Sequence, residues 1–302
     1  MCAKILVVGS NNTDMVIKAD RLPKAGETIL GGTFFMNPGG KGANQAVAAA
    51  RLGGQVTFIS KIGNDVFGKQ AVQLFKDGGI DTSFIFSDPD NPSGVALITV
   101  DNAAENCIVV ASGANATLLP KDLQEAKTEI ENAGVVLMQL EIPLETVEYV
   151  TAIASSCNVP IILNPAPICA LSDKLLKNLY IITPNSVEAS MLTGIKVIDQ
   201  ESAKLAAIAI HKKGVKIVII TLGAEGALIF NNGEFIMVAA EKVKPVDTTA
   251  AGDVFNGALA IAVAEGKGIE TAVRFACKAA GIAVTRLGAQ SSAPYKREMG
   301  IF

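Results

Sequence analysis

Residues 244–257 read Lys-Pro-Val-Asp-Thr-Thr-Ala-Ala-Gly-Asp-Val-Phe-Asn-Gly, and the rest of the chain is organised around them. The stretch begins extended, because Pro245 disfavours helix at the residue before it. It ends as a helix, since the residues from Val254 onward are apolar and good helix formers. The small residues 248–252 lie between, so several backbone N–H groups remain free at the helix start. Together with the helix dipole, these groups predict an anion site.

Asp253 follows the small residues directly. A carboxylate beside a phosphate site is typical of a base that takes the proton from an attacking hydroxyl. The alternative is that Asp253 is the N-cap of the helix and Gly252 a turn residue. Residues 244–257 alone favour neither interpretation.

The composition excludes several classes of protein. The 302 residues are 50% hydrophobic with a net charge of -3, which supports a large core in one domain, 1–302, and argues against nucleic acid as a partner. The single histidine disfavours Ser/His/Asp hydrolysis, and five scattered cysteines are typical of reduced thiols. No apolar run reaches the roughly 20 residues of a membrane helix, and no signal-peptide n-region precedes the first strand. We therefore expect a cytoplasmic protein without membrane contact.

The second half of the chain alternates between strand and helix patterns. Apolar runs at 135–140, 159–163, 180–183 and 215–220 alternate with helical patterns at 144–156, 186–193 and 201–213. Together with the run at 4–9, this alternation predicts a parallel sheet with right-handed crossovers. Ligands bind at the carboxyl edge of such sheets, where Glu141, Asn164, Asn185 and Thr221 follow the predicted strands.

A second, smaller sheet is predicted from segments without intervening helices. Residues 27–35 read as a strand, and 95–100 with 107–111 read as a hairpin. We expect these segments to form an antiparallel lid, contributed by about 14–37 and 94–112. Because small isolated sheets are marginal in water, the lid also predicts a homodimer.

Two further motifs indicate a sugar site. Asn12 and Asp14 share one face of an extended segment, and an amide with a carboxylate suits vicinal hydroxyls, although an Asx turn is the alternative. Residues 37–45 read Asn-Pro-Gly-Gly-Lys-Gly-Ala-Asn-Gln, a glycine loop before a helix that lets the backbone approach a ligand. The spacing of a P-loop is absent.

These motifs, in this order, resemble the ribokinase-like (PfkB) family of carbohydrate kinases almost from end to end. The most specific stretches are 38–46, Pro-Gly-Gly-Lys-Gly-Ala-Asn-Gln-Ala, and 246–257, Val-Asp-Thr-Thr-Ala-Ala-Gly-Asp-Val-Phe-Asn-Gly. The resemblance implies a three-layer α/β sandwich with a mainly parallel central sheet and a small antiparallel β lid.

The resemblance also implies roles for individual positions. Asp253 would be the catalytic base. The sugar would be held by Asn12, Asp14, Gly40, Lys41, Gly42, Ala43, Asn44, Glu141 and Asp253. ATP would be held by Asn185, Thr221, Leu222, Gly223, Ala224, Glu225, Gly226, Gly252, Asp253 and Cys277.

Two metals are implied as well. Glu188, in an Asn-x-x-Glu element, would contact hydrated Mg²⁺ indirectly. A K⁺ site would lie at Asp247, Thr249, Ala283, Arg286, Gly288 and Ser292, mostly through backbone carbonyls. The alternative for Asp247 is a cap that accepts backbone hydrogen bonds.

The activity implied is ATP-dependent phosphorylation of the 5-hydroxyl of D-ribose, with Asp253 as general base. The first alternative is another kinase of the family, acting on deoxyribose, a nucleoside or fructose. The second is a non-catalytic sugar sensor, which we would expect to have lost Asp253 or Gly252. A Rossmann dehydrogenase is disfavoured, because Gly-x-Gly-x-x-Gly is absent after the first strand.

Overall fold

The protein is described from a computed structural model, which covers residues 3–103 and 105–300. The strands are β1 (Lys4–Val8), β2 (Asn12–Lys18), β3 (Thr33–Gly39), β4 (Gln55–Gly63), β5 (Ile85–Asp88), β6 (Gly94–Val100), β7 (Asn106–Ala111), β8 (Val135–Met138), β9 (Ile161–Leu163), β10 (Ile181–Ile182), β11 (Ile217–Thr221), β12 (Ala227–Asn231) and β13 (Glu234–Val238). The helices are α1 (Lys41–Arg51), α2 (Val66–Asp77), α3 (Lys127–Glu131), α4 (Leu144–Ser156), α5 (Asp173–Lys177), α6 (Ser186–Thr193), α7 (Gln200–Lys212), α8 (Ala251–Ala264) and α9 (Ile269–Ala283).

The main sheet has nine strands in the order β13-β12-β11-β10-β9-β8-β1-β4-β5. All neighbours from β11 to β5 pair in parallel, and the β12–β13 hairpin adds an antiparallel edge. The inner strands are apolar on both faces, as strands covered by helices on both sides must be. The predicted fold class, an α/β sandwich with a mainly parallel sheet and a small second sheet, is confirmed.

Helices α1 and α8 pack closely on one face of this sheet, and that contact positions the site. A Cβ at Gly257 of α8 would lie 2.7 Å from the carbonyl oxygen of Gln45 and 2.8 Å from Cβ of Ala48. Glycine and alanine at this contact therefore let the two helix backbones approach. As a result, the first turns of both helices lie beside each other.

The second sheet has the order β3-β2-β6-β7. Its two outer pairs are antiparallel and its central pair, β2–β6, is parallel. The strand predicted at 27–35 begins later, at Thr33, and runs on to Gly39 through residues predicted as loop. Positive φ angles at Gly26, Gly31 and Gly32 interrupt the earlier part, while Pro38 is tolerated because β3 is an edge strand.

Some short elements were not predicted from the sequence. Strand β5 and the five-residue helix α5 were not predicted, because so few residues carry no clear periodicity. Within residues 3–103 and 105–300, the structure contains no helix long and apolar enough to cross a membrane.

Candidate active site at the carboxyl edge of the sheet

Asp253 lies in the first turn of α8. The N-cap of this helix is Ala250, with φ 58°, so the alternative that Asp253 itself is the N-cap is wrong. The N–H groups of Gly252 and Asp253 belong to the helix start, where no preceding turn supplies acceptors. A Cβ at Gly252 would meet no atom within 4 Å, so the backbone is open to a ligand there.

The carboxylate of Asp253 is buried and bonded at both oxygens. Asn44 donates from Nδ2 to Oδ2 over 2.9 Å, and Gln45 donates from Nε2 to Oδ1 over 3.0 Å. Burial raises the pKa of Asp253, while Lys41 and these two amides oppose the shift. The structure therefore contains a carboxylate with raised proton affinity, fixed in orientation by two donors.

Lys41 lies at the start of α1, among three acidic side chains. Burial lowers the pKa of its ammonium, but the charges of Asp253, Glu141 and Glu188 outweigh burial and the pKa is raised. Burial also raises the pKa of Glu188, with the N–H of Asn185 and the charge of Lys41 opposing. Lys41 is thus a positive charge that interacts with the carboxylate of Asp253.

Glu141 follows strand β8 and connects the loop after β1 with the start of α1. Its Oε2 accepts from the hydroxyl of Ser10 at 2.5 Å and from the backbone N–H of Lys41 at 3.0 Å. The same hydroxyl accepts from the N–H of Gly42 at 3.3 Å, and the carbonyl of Ser10 accepts from the N–H of Ala43. The end of β1 is thereby bonded to the start of α1.

Asp14 lies on the second sheet, against its edge strand. A Cβ at Gly39 would fall 2.3 Å from both carboxylate oxygens of Asp14, so only glycine leaves room for this side chain. Burial, and then the charges of Glu141 and Asp253, raise the pKa of Asp14 to about 6. Asp14 is therefore near enough to the main-sheet site to interact with its charges.

Asn12 is buried where β2 begins. Asn115 donates from Nδ2 to Oδ1 of Asn12 over 2.8 Å, and its own Oδ1 accepts from the N–H of Asn11. A Cβ at Gly94 would lie 2.1 Å from Oδ1 of Asn12, so this bond passes directly over the glycine backbone. A Cβ at Gly40, which has φ 87°, would lie 2.7 Å from the backbone nitrogen of Asn12. The Asx-turn alternative is wrong, since Asn12 and Asp14 lie in a strand.

The residues expected at the nucleotide lie along the same edge, further across the sheet. Asn185 and Glu188 form a capping box at α6: each side chain accepts the backbone N–H of the other at 2.8 Å. Asn185 also forms a parallel bridge with Thr221, at the end of β11.

A glycine-rich turn follows β11. The 3₁₀ turn Gly223–Glu225, which includes Ala224, leads into β12, and the N–H of Leu222 donates to the carbonyl of Gly226. Gly226 has φ 106° and no room for a Cβ, which would lie 2.0 Å from the carbonyl oxygen of Val238. Cys277 is buried on α9, and burial raises the pKa of its thiol to about 11. The thiol of Cys277 is therefore uncharged at neutral pH.

The expected cation site lies where two loops meet. Asp247 accepts the N–H of Thr249 through Oδ1 and that of Gly288 through Oδ2, both at 2.9 Å. The carbonyl of Ala283 accepts the N–H of Arg286, whose guanidinium pairs with Glu298. Ser292 is buried, and its hydroxyl donates to the carbonyl of Ala289 at 2.8 Å. The cap interpretation of Asp247 therefore describes the observed hydrogen bonds.

Sequence reasoning assigned no individual role to several residues that position this site. They are Ser10, Gln45, Asn115, Gln139, Asn164 and Asn256, all of which hydrogen-bond expected site residues or their neighbours. Their common signal is a polar side chain beside a predicted strand end or in a helix first turn. That signal is weak, because many such residues are solvated in other proteins.

A buried, amide-bonded carboxylate at an open helix start, on the carboxyl edge of an α/β sheet, is typical of a phosphoryl-transfer site. The chain belongs to the pfkB family of carbohydrate kinases, whose model matches residues 3–296.

Individual relatives agree with this membership. The chain is 46% identical to a ribokinase of Haemophilus influenzae, covering 97% of this chain and 96% of the relative. It is 35% identical to a deoxyribokinase of Salmonella typhi, covering 96% and 95%. The structure of Arabidopsis thaliana ribokinase in complex with ribose and ATP superposes with a TM-score of 0.93, at 35% identity, covering 99% of this chain and 98% of that one.

Proposed function

We propose that this protein is an ATP-dependent sugar kinase that transfers the γ-phosphoryl group to the 5-hydroxyl of D-ribose, giving ribose 5-phosphate. The observation that carries the proposal is Asp253, a buried carboxylate held by two amides in the first turn of α8. The ribokinase similarity over nearly the whole chain supports ribose as the sugar.

Asp253 is the general base in this proposal. Burial raises its pKa above the ordinary carboxyl value, which brings its proton affinity closer to what proton transfer near neutral pH requires. A carboxylate cannot hold a free alkoxide, so it accepts the proton as the new P–O bond forms, which suits a loose phosphoryl-transfer transition state. The N–H groups of Gly252 and Asp253 at the helix start and the ammonium of Lys41 stabilise the charge on the transferred group.

The sugar is held between the two sheets. Asp14 and Glu141 supply hydroxyl acceptors, while Asn12 offers an amide donor, since its oxygen is bonded to Asn115. Asn44 offers its Oδ1, which has no partner among the described residues although it is buried. The further members of the sugar site are Gly40, Lys41, Gly42 and Ala43.

Nucleotide phosphates are held by the helix and turn starts along the sheet edge. The members are Asn185, Thr221, Leu222, Gly223, Ala224, Glu225, Gly226 and Gly252, with Cys277 towards the base. The buried, neutral thiol of Cys277 is compatible with an apolar adenine face.

Mg²⁺ accompanies the nucleotide in this proposal and neutralises phosphate charge when bound. Residues 3–103 and 105–300 contain no group of three or more His, Cys, Asp or Glu able to hold a metal ion by themselves. This agrees with a Mg²⁺ ion that keeps several waters and is carried mainly by substrate phosphates. Glu188 would contact such water through its second carboxylate oxygen. Its Oε2 already accepts the backbone N–H of Asn185, whereas Oε1 can still accept a hydrogen bond.

K⁺ is the proposed activator, held by Asp247, Thr249, Ala283, Arg286, Gly288 and Ser292. A carboxylate has about four lone-pair sites, so Asp247 can accept two N–H groups and still face a cation. Because Asp247 bonds both the loop before α8 and the loop after α9, an ion there would stiffen the segment that begins at Thr249 and leads to Asp253.

A homodimer through the lid is also proposed. Strand register places Ile17, Phe34, Met36, Leu97 and Val109 on the lid face opposite Asp14, and each is exposed. An exposed apolar face on a small sheet is typical of an interface. The partner proposed for this face is a second copy of the same chain. In such a dimer the lid of each copy would close over its own sugar site.

One assay tests the activity: ATP consumption with ribose, deoxyribose, fructose and nucleosides as acceptors. The proposal expects the highest kcat/KM with ribose. The similarity to a deoxyribokinase makes deoxyribose the second candidate, and a higher kcat/KM with that sugar would replace ribose. Binding of sugar without any ATP consumption would instead indicate a sensor.

A further inference from the structure

Gln45 is fully buried and lies one residue after Asn44 in the first turns of α1. Its amide nitrogen donates to Oδ1 of Asp253 at 3.0 Å and to Oδ1 of Asn164 at 3.1 Å. Because no part of Gln45 is exposed, it is not placed to contact sugar or nucleotide from solvent. Its contact with the site is through Asp253.

Two neighbours decide which way the Gln45 amide points. Gln139 donates from Nε2 to Oε1 of Gln45 at 2.6 Å, while Asn164 presents an oxygen to the Gln45 nitrogen. A rotated Gln45 amide would face the donor of Gln139 with its own donors, and Asp253 with its oxygen. Both contacts would be repulsive, so only the observed orientation satisfies the group.

This arrangement leaves one polar atom of Gln139 without a hydrogen bond. Its Oε1 is buried without a partner among the described residues, and a Cβ at Gly9 would lie 2.1 Å from it. An unsatisfied buried carbonyl is destabilising. An apolar side chain at position 139 would remove this penalty only by leaving Oε1 of Gln45 without its donor, so the unsatisfied oxygen of Gln139 accompanies the orientation of the Gln45 amide.

We propose that Gln45 is a positioning residue for Asp253: its amide, oriented by Gln139 and Asn164, holds the carboxylate where it accepts the proton of the attacking hydroxyl. This rests on the base role proposed for Asp253. Gln45 engages one oxygen and Asn44 the other, so the two hydrogen bonds fix the plane of the carboxylate.

The proposal has a signature that a purely structural role lacks. A hydrogen bond to the charged form of a carboxylate lowers its pKa, so removing the donor raises it. The acid limb of the kcat–pH profile should then move to higher pH. Sugar affinity should hardly change, because Gln45 does not contact the sugar.

Gln45→Met keeps the side-chain volume and removes the donor. We expect kcat to fall roughly 10- to 100-fold, the range of a hydrogen bond to a charged group, and the acid limb to move up by on the order of one pH unit. Calorimetric affinity for ribose should stay within a few-fold of wild type. Gln139→Met, which leaves Gln45 in place but frees its amide, should shift both readouts in the same direction by less.

Thr151→Val is the matched control, since Thr151 on α4 is also buried with an unpartnered polar atom, away from the site. It should leave kcat and the acid limb unchanged. A Gln45→Met enzyme with an unshifted acid limb would overturn the positioning role, whether or not kcat falls. If Gln45→Met does not fold, the same criterion applies to Gln139→Met. Full turnover in Asp253→Asn would instead remove the base itself, so the two failures are distinct.

Discussion

The side chain of Asn44 donates from Nδ2 to Oδ2 of Asp253 over 2.9 Å, although 209 positions separate the two residues in the chain. The other end of the amide, Oδ1, is buried without a partner among the described residues. One side chain on α1 thus holds the proposed base and presents an acceptor beside it. The proposed base and the proposed sugar site are therefore coupled through a single amide.

Asp253→Asn should fold and bind ribose, but kcat should fall by roughly 10²–10⁴, the range for a general base. The new amide nitrogen would face the donor of Asn44, which can rotate to accept through its unpartnered Oδ1. The rotated Asn44 amide would turn its nitrogen towards the sugar in place of Oδ1, so sugar affinity should weaken by no more than roughly tenfold, the cost of one altered hydrogen bond. Steady-state kinetics and calorimetry measure the two quantities, and kcat near that of wild type would remove Asp253 from the base role.

Asp14 predicts a pH dependence of sugar binding. Its pKa is raised to about 6, so below that pH the carboxylate is protonated and loses its charged acceptor. The KM for ribose should rise as the pH falls through about 6, whereas in Asp14→Asn it should be high and lack this step. A wild-type KM that is flat between pH 5 and pH 7, roughly one unit to each side of that pKa, would contradict the assignment.

The same shift predicts a change in stability. Because the folded pKa of about 6 exceeds the unfolded value of 3.8, the ionised form is disfavoured in the fold, and stability falls as the pH rises between these values. Asp14→Asn should therefore be more stable than wild type above pH 6, with an advantage that shrinks at lower pH. Thermal unfolding of both proteins without ligands, over a pH series, measures this difference.

Asn115→Asp should weaken sugar binding without touching the nucleotide. The new oxygen would face Oδ1 of Asn12 and the carbonyl of Asn11, so the Asn12 amide would be driven to rotate. We expect the KM for ribose to rise roughly tenfold, the cost of one misdirected hydrogen bond, and that for ATP to stay unchanged. Asn178→Asp, which loses an exposed bond to the carbonyl of Lys174, is the control and should leave both constants as they are.

K⁺ should raise kcat more than it lowers the KM for ribose, and Na⁺ should do so poorly. The reason is that a bound ion would fix the loop before α8 without contacting the sugar. Asp247→Asn removes the charge and keeps an acceptor oxygen for only one of the two N–H groups, that of Thr249 or that of Gly288, so it should lose most of the activation. Rates in K⁺, Na⁺ and tetramethylammonium at matched ionic strength measure this. Equal rates would leave Asp247 only its observed role as a loop cap.

Leu97→Lys should separate the proposed dimer. Leu97 is exposed and central on the lid face opposite Asp14, so a charge there would be buried between two copies. Light scattering at micromolar concentration should report half the wild-type mass. Leu205→Lys on α7, an equally exposed leucine away from the lid, should leave the mass unchanged. A wild-type monomer with full activity would refute the dimer.

The sequence by itself determined the alternation of strands and helices, since apolar periodicity is a local property. It also determined which segments border the site: the glycine loop before α1 and the small residues before α8 are both visible as composition. The end of β3 was misplaced because pairing of Asn37 with Asp14 depends on a partner strand, which local propensity does not reveal.

Only the tertiary structure decided which polar side chains act together. Gln45, Gln139 and Asn164 come from three separate segments and meet because α1 and α8 pack over the carboxyl ends of β8 and β9. A glutamine or asparagine in the sequence does not by itself indicate a site, since most such side chains are solvated. The raised pKa values of Asp14 and Asp253 likewise arise from burial and neighbouring charges, which exist only once the chain has folded.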